Sequence, residues 1–302
     1  MKNLLWGSFY LTVAASIWGA MFITVRVAVE VIPPVPLVWL RYLTATVALY
    51  VVGRLRHVSW RVKRRDWKLL LFIGFIGQTL SIVTQETGTM LTSAQTGSII
   101  TAATPAFMLV FSRLFLGEAF TFWREVAVVM ATLGVLLIVV DPENVQLASA
   151  WGGISLLFAA LTWALMSVLL KRLSGYSPIV LTFYGVLVAW VLLLPYSVLW
   201  LSQTEWQPLL APEIFGSVLY MGVISTTCGF CLWNNGLQLM DASIGGLFLF
   251  FQPVVGTFLG WLLLGEAVTS FFWLGSMLIA GGVVLAMRGG HSAAADCAAL
   301  DR

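Results

Sequence analysis

Few ionisable side chains fall inside the long apolar runs of this 302-residue chain, and Arg41 and Glu86 are two that do. A charge in such a run is costly unless it finds a partner, so each is a functional candidate. Glu86 lies near the end of its run, and Arg41 lies about six residues, roughly 9 Å at 1.5 Å per residue, into the preceding run from the same end. Either the two pair, or each reaches back to the interface along its own stem. An amino-acid solute would find a partner for its ammonium in Glu86 and for its carboxylate in Arg41. Neutral hydrogen bonds would come from Gln78, Gln85, Asn234, Asn235 and Gln252.

Enzyme chemistry would need acid, base and nucleophile roles gathered at one depth, and no such constellation of His, Asp, Ser or Cys is evident. No cofactor is expected. Cys228 and Cys231 match a C-x-x-C spacing, but a tetrahedral zinc site wants two more ligands. Cys297, His57 and His291 all lie outside that apolar run, so no metal is expected either.

The elements that must position these residues are read from composition. Hydrophobic residues make up 60% of the chain and charged residues 10%, against about 25% charged in an ordinary soluble domain. This is the composition of a membrane protein, and a spanning helix needs about 20 predominantly apolar residues. Ten such segments can be read, approximately 4–28, 35–53, 67–88, 94–116, 122–140, 151–170, 179–201, 214–237, 244–264 and 271–287. The first is long enough to span and leads directly into more spans, so it reads as a retained helix and not a cleaved signal.

With the N-terminus inside, Arg54, Arg56, Arg61, Lys63, Arg64, Arg65, Lys68, Arg113, Arg124, Lys171, Arg172 and Arg288 all face the cytoplasm. The opposite connections carry Asp141, Glu143, Glu205 and Glu213. This is the positive-inside pattern, with both termini cytoplasmic and the bacterial inner membrane as the expected location. The cluster RLRHVSWRVKRRDWK reads as a topology-setting loop near anionic headgroups, with no nucleic acid implied.

Sliding the chain on itself by 148 aligns Gly74 with Gly222, Gly88 with Gly236, Pro105 with Pro253 and Gly117-Glu118 with Gly265-Glu266. A shift of 145 aligns Trp18 with Trp163 and Pro33 with Pro178. Residues 1–144 and 145–289 thus read as two five-helix repeats, followed by a disordered cytoplasmic tail at 290–302. An odd number of crossings inserts the second copy upside down. Inverted repeats are typical of secondary transporters, whose solute site lies near the midplane and is exposed to each side in turn.

Pro105 and Pro253 are expected as matched helix bends facing the interior, because neither can donate to the carbonyl four residues earlier. Thr101 and Thr104 can satisfy the freed carbonyl in the first copy, and Gln252 stands near the second. Gly117 and Gly265 are expected to turn the chain with positive φ. Glu118 and Glu266 are read as structural caps at the start of the helix that follows each. Trp18 and Trp163, near mid-span on repeat-related helices, either pack the core or wall a central cavity from opposite sides. GTFLG at 256–260 is a small-residue face for close helix packing.

Ser16-Ile17-Trp18-Gly19, Trp39-Leu40-Arg41-Tyr42 and the two Pro-x12-Glu helices ending in Leu-Gly-Glu-Ala-x-Thr resemble the EamA-type ten-helix members of the drug/metabolite transporter superfamily. The resemblance covers roughly residues 5 to 288. It implies an all-α bundle with helices 1 to 4 and 6 to 9 around a central cavity, helices 5 and 10 peripheral, and export of small metabolites or drugs. The richness in Trp, 14 of 302, is similar to that of aromatic amino acid exporters within that range.

Members usually carry an apolar or aromatic residue near Glu86, so Gln85-Glu86-Thr87 is a departure that bears on selectivity. The leading expectation is a monomeric exporter of apolar or aromatic amino acids, working in the lipid bilayer by alternating access. An organic-cation exporter and a channel stay open as alternatives, as do proton coupling and facilitated diffusion.

Overall fold

Apolar chain in lipid must satisfy every backbone N–H and C=O internally, and the helix does this within one segment. The computed structural model describes residues 2–92, 94–118, 122–139, 150–205, 207–264, 273–275, 277–282 and 284–285, and among them it contains helices and no strand. In chain order the helices are α1 (Lys2–Ala28), α2 (Pro34–Leu55), α3 (Arg64–Leu91), α4 (Ala94–Thr101), α5 (Thr104–Leu116) and α6 (Phe122–Val139). They continue as α7 (Ala150–Leu173), α8 (Pro178–Gln203), α9 (Pro212–Leu239), α10 (Ala242–Leu247) and α11 (Phe251–Leu264).

Among the described residues six helices, α1, α2, α3, α7, α8 and α9, are long and apolar enough to cross a bilayer. Their outward faces carry exposed Val47, Val51, Ile154, Leu192 and Leu199, an apolar surface that suits lipid and not water. Glu266, the second Leu-Gly-Glu-Ala, parts of the expected tenth segment and the tail at 290–302 lie outside the described residues.

The expected fourth segment, 94–116, is not one bent helix. It breaks at residues 102–103, and Pro105 sits in the first turn of α5, where no N–H donor is needed. Pro253 likewise occupies the first turn of α11, after a 3-10 turn at Phe248–Phe250. Pro105 therefore begins a helical segment, whereas Pro253 stands inside a continuous helical run from Ala242 whose winding tightens to 3-10 just before it. The Thr104 hydroxyl donates to the Thr101 carbonyl at 2.6 Å, the rescue expected from the sequence.

Two π-helical stretches go beyond what the apolar runs predict. Gly74–Ser81 within α3 and Tyr220–Gly229 within α9 are wound with i→i+5 hydrogen bonds, a geometry frequent at functional sites. The Thr79 hydroxyl donates to the Gly74 carbonyl at 3.1 Å, and the Thr227 hydroxyl donates to the Gly222 carbonyl at 3.0 Å. These pairs are the same residues under the 148 offset. The spacing Gly-x4-Thr recurs at these matched positions, but it also occurs at Gly7–Thr12 and Gly19–Thr24 within the α-helical α1, so it does not announce them alone.

Packing of residues matched by the two sequence offsets is reciprocal. α1 lies along α9 and α11, α7 lies along α3 and α5, α2 meets α8 and α9, and α8 meets α3. A Cβ at Gly88 would sit 2.9 Å from the Gly152 carbonyl oxygen and 2.5 Å from Leu156 Cγ, and one at Gly236 would sit 3.2 Å from the Gly7 carbonyl oxygen and 2.5 Å from Leu11 Cγ. Gly7 and Leu11 correspond to Gly152 and Leu156 under the 145 offset. The GTFLG face packs as expected at Gly256, where a Cβ would lie 3.5 Å from the Gly19 carbonyl oxygen.

Gly222 is the tightest of the repeat-matched glycines. A Cβ there would fall 1.7 Å from Thr44 Oγ1 and 2.7 Å from the Arg41 carbonyl oxygen, so α2 and α9 must separate to admit one. Gly222→Ala should cost at least about 1 kcal/mol of stability by overpacking and displace Arg41. Thermal unfolding in detergent checks it; an unchanged midpoint would refute the close approach.

The loops rich in Lys and Arg gather at one end of the bundle. Lys63 N–H donates to the Tyr176 hydroxyl at 3.2 Å, Tyr176 donates to Asp66 at 2.5 Å, Tyr184 donates to the Trp60 carbonyl at 2.9 Å, and Gln238 donates to the Tyr176 carbonyl at 3.1 Å. This is the basic end. The α2 C-terminus is closed there by a Schellman pattern, with His57 at φ 51, Val58 N–H donating to the Gly53 carbonyl and His57 N–H to that of Arg54.

Candidate functional site

Residues of α1, α2, α3, α4, α5, α7, α9, α11 and the 3-10 turn line a narrow cavity of about 30 Å3. Trp18, Phe22, Trp163 and Phe230 give it aromatic walls, and Arg41, Gln85, Thr101, Thr104 and Gln252 give it polar groups. A mostly apolar concavity with a few convergent polar groups is the usual form of a small-molecule site. Of the residues singled out from sequence, Trp18, Trp163, Arg41, Gln85 and Gln252 meet here.

Trp18 and Trp163 do both things expected of them. Their rings meet edge to face with centroids 5.2 Å apart, and Phe230 closes on both, at 5.5 Å and 5.2 Å. Trp233, one turn along α9 toward the basic end, packs on Trp18 at 5.3 Å and is 1% exposed. Aromatic side chains thus form the cavity wall and, with Trp233, a plug beneath it. The Trp18 indole N–H donates to the Ser225 carbonyl at 3.0 Å, inside the π-helical stretch of α9.

Arg41 is the hub. Its Nε donates to Thr226 Oγ1 at 2.6 Å, Nη1 to Glu86 Oε1 at 3.1 Å and Nη2 to Ser225 Oγ at 3.4 Å. The guanidinium also lies 5.8 Å from the Phe230 ring centroid, within cation–π range. The Arg41 and Glu86 side chains are both 0% exposed, so they pair and do not reach for the interface. Glu86 stands behind Arg41, outside the cavity wall, and its Oε2 has no hydrogen-bond partner among the described residues. Ser225 and Thr226, which fix the guanidinium, escape a reading of the sequence because hydroxyls in an apolar helix look like ordinary packing residues.

Gln78 and Asn234 are placed elsewhere. Tyr42 donates to the Gln78 carbonyl at 2.8 Å and its side-chain oxygen at 3.0 Å, and Gln78 Nε2 points to Met166 Sδ at 3.5 Å. Asn234 donates to Thr182 Oγ1 at 3.0 Å and Asn235 to the Cys231 carbonyl at 2.8 Å. Gln78 and Asn234 tie helices together, Asn235 bonds within α9, and none of the three lines the cavity.

Glu118 is a cap, but of a different helix from the one expected. Its carboxylate accepts from the Ala242 N–H at 2.8 Å, the Ser243 N–H at 3.1 Å and the Ser243 hydroxyl at 2.6 Å, so it caps α10 in the other half of the chain and not α6 next to it. Lys171 lies 3.4 Å from Glu118 and donates to the Met240 carbonyl at 2.5 Å. Arg124 donates to Ser243 Oγ at 3.0 Å and to Asp241. Burial alone would raise the Glu118 pKa, but the Ser243 hydroxyl, the Lys171 ammonium and the two α10 N–H groups outweigh it and hold the carboxyl below the usual carboxylate range. Gly117 takes the expected left-handed turn, at φ 70.

With this geometry in place, the sequence profile of the EamA-like transporter family matches residues 5–140 and 150–288. An Archaeoglobus fulgidus protein described as "Uncharacterized transporter" is 26% identical, over 92% of this chain and 97% of its own. An Escherichia coli K12 protein described as "Probable amino-acid metabolite efflux pump" is 25% identical, over 90% of this chain and 92% of its own. A chain of known structure superposes with a TM-score of 0.78 at 18% identity, over 94% of this chain and 98% of that one, a likeness of fold.

Proposed function

The chain belongs to the EamA-like transporter family, and from that premise of a multi-pass membrane transporter we propose that it exports amino acids, apolar or aromatic ones above all. The observation that carries the reading is a guanidinium in the wall of an aromatic cavity. Trp18, Trp163 and Phe230 offer faces to an apolar side chain, while Arg41 offers a fork of N–H donors to a carboxylate. The similarity to a protein described as an amino-acid metabolite efflux pump supports the same substrate class.

The transport cycle is alternating access between two inverted five-helix halves, 1–144 and 145–289. Support comes from the 148 and 145 offsets and from reciprocal packing, in which Gly88 meets Gly152 and Leu156 while Gly236 meets Gly7 and Leu11. The basic end faces the cytoplasm of a bacterial inner membrane, as its Lys and Arg loops suggest. In this reading the Trp233 plug and the Glu118 cluster close that end, and one chain is sufficient for the path.

The aromatic walls would also suit an organic cation. The charge in the wall is itself a cation, however, which repels such a solute and favours a carboxylate. In cells overproducing the protein, accumulation of radiolabelled phenylalanine and leucine is expected to fall several-fold, with resistance to p-fluorophenylalanine. Unchanged accumulation of all twenty standard amino acids would overturn the reading. Saturable counterflow in proteoliposomes separates a carrier from a channel, whose flux would rise linearly.

A further inference from the structure

The end of α2 leaves a hollow that the solute path does not use. Gly53, Arg54, His57, Val58 and Trp60 line an open space of about 310 Å3 at the basic end of the bundle. Trp60 gives it an aromatic wall that is held from three sides: a Cβ at Gly53 would fall 2.3 Å from its Cζ2, Tyr50 stacks on it at 6.1 Å, and Phe183 of α8 meets it edge to face at 4.8 Å. Tyr184 donates to the Trp60 carbonyl at 2.9 Å and fixes the backbone behind the ring.

The cations around this hollow are uncommitted. Residues 54–68 carry Arg54, Arg56, Arg61, Lys63, Arg64, Arg65 and Lys68 against the single acid Asp66. Asp66 already takes Arg65 at 3.5 Å and the Tyr176 hydroxyl at 2.5 Å, and among the described residues no carboxylate pairs with Arg54 or Arg56. An anion at the end of a helix normally meets its free carbonyls. Here those of Val52, Gly53 and Arg54 accept from the N–H groups of Arg56, Val58 and His57, which removes much of that repulsion. His57 itself holds φ 51 at a helix end where glycine is the usual residue, and among the described residues it is the one non-glycine with positive φ. Glycine would close the helix with less strain; what histidine adds is an imidazole at the hollow.

The apolar side of the hollow identifies its occupant. Val47, Val51 and Arg54 follow one another at helical spacing on α2, and Val47 and Val51 are 59% and 48% exposed. In a chain that crosses the bilayer this stripe faces lipid, and it ends in a cation about 10 Å along the helix from Val47. A nucleic acid or an acidic peptide would reach the cations but has nothing to lay on the valines. We propose that the hollow binds an anionic phospholipid, with the headgroup phosphate on Arg54 and His57 beside Trp60 and the acyl chains along Val47 and Val51. The site asks nothing of the solute, so it stands or falls apart from the amino-acid reading.

The test offers equal amounts of phosphatidylglycerol and phosphatidylcholine to the full-length protein in a neutral detergent and reads retained lipid by native mass spectrometry. Phosphatidylglycerol should be retained at least about tenfold over phosphatidylcholine, and Arg54→Gln should cut that preference about fivefold. Arg64→Gln removes an equal charge from the same loop without touching the hollow, and should leave the preference within about twofold. His57→Gly separates ligand from scaffold: glycine suits φ 51, so thermal unfolding in lipid-free detergent should come at the same or a higher temperature while the preference falls. Equal retention of the two lipids by the wild type overturns the proposal. So do equal losses in Arg54→Gln and Arg64→Gln, which would show a diffuse basic surface and no site. Displacement of the lipid by an equal concentration of glycerol 3-phosphate overturns it too, since the hollow would then take soluble phosphates.

Discussion

Replacing Arg41 with methionine should abolish export and destabilise the protein by about 3–5 kcal/mol. The two losses have separate causes. Stability falls because Glu86, 0% exposed, loses the cation 3.1 Å away and is left as a buried carboxyl without its partner, which must either hold an uncompensated charge or take up a proton at a cost. Export falls because the cation in the cavity wall is gone. The double variant Arg41→Met/Glu86→Leu separates them: with both charges removed, folding should recover to near the wild type, since a buried ion pair is worth little net against an apolar pair, while export stays absent. Arg41→Lys should sit between, because a point charge cannot hold Thr226, Ser225 and Glu86 at once. Thermal unfolding in detergent and phenylalanine accumulation in cells measure the two effects. Normal export by Arg41→Met would sink the carboxylate assignment, and a double variant as unstable as the single would show that the hydroxyl contacts, not the ion pair, carry the cost.

The Arg41–Glu86 pair is legible in the sequence because two charges at similar depth in consecutive apolar runs have few other solutions. Trp18 and Trp163 are legible for the same kind of reason, since mid-span aromatics at matched repeat positions must either pack or line a void, and here they do both. The Thr104 rescue of the Thr101 carbonyl follows directly from the chemistry of proline. What escapes is long-range or cooperative. The π-helical stretches arise from a slip in hydrogen-bond register that a run of apolar residues does not announce, although Gly-x4-Thr recurs in both. Gln78 and Asn234 have the chemistry of solute ligands, but each meets a hydroxyl on a neighbouring helix, Tyr42 or Thr182, that only tertiary packing brings near. Ser225 and Thr226 give no signal of their own because their role depends on Arg41, 184 and 185 positions away.

Glu118 is a cap, as its place after Gly117 implies, but for a distant helix and not the adjacent one, and that difference has a functional consequence. A cap for α6 would be a matter of stability alone, whereas a cap for α10 ties the end of α5 to the other half of the chain. With Lys171 from α7 and Arg124 from α6, it ties those helices together at the basic end, and under the proposed alternating access any opening toward that end must break it. Glu118→Ala removes three hydrogen bonds to a carboxylate that is 11% exposed, a loss of about 3 kcal/mol. Allowing that part is made good by water and by Asp241, the population open at the basic end should rise about 10- to 100-fold.

A cysteine placed at Ser167, beneath the aromatic plug, reads this directly in a background without the native cysteines. A membrane-impermeant maleimide should label it faster by that factor in Glu118→Ala from the basic side, and no faster from the opposite side. Lys171→Met, which breaks the ion pair but keeps the α10 cap, should give a smaller gain. Because the Glu118 carboxyl is held below its ordinary value, its contribution is complete above the unfolded pKa of about 4.3 and is lost as pH falls through the lower folded value. Labelling relative to a freely accessible reference cysteine, which cancels the change in thiolate fraction, should therefore be flat between about pH 5 and 8 and rise only in stronger acid. Equal acceleration from both sides would mean that Glu118 stabilises the fold and does not hold a gate.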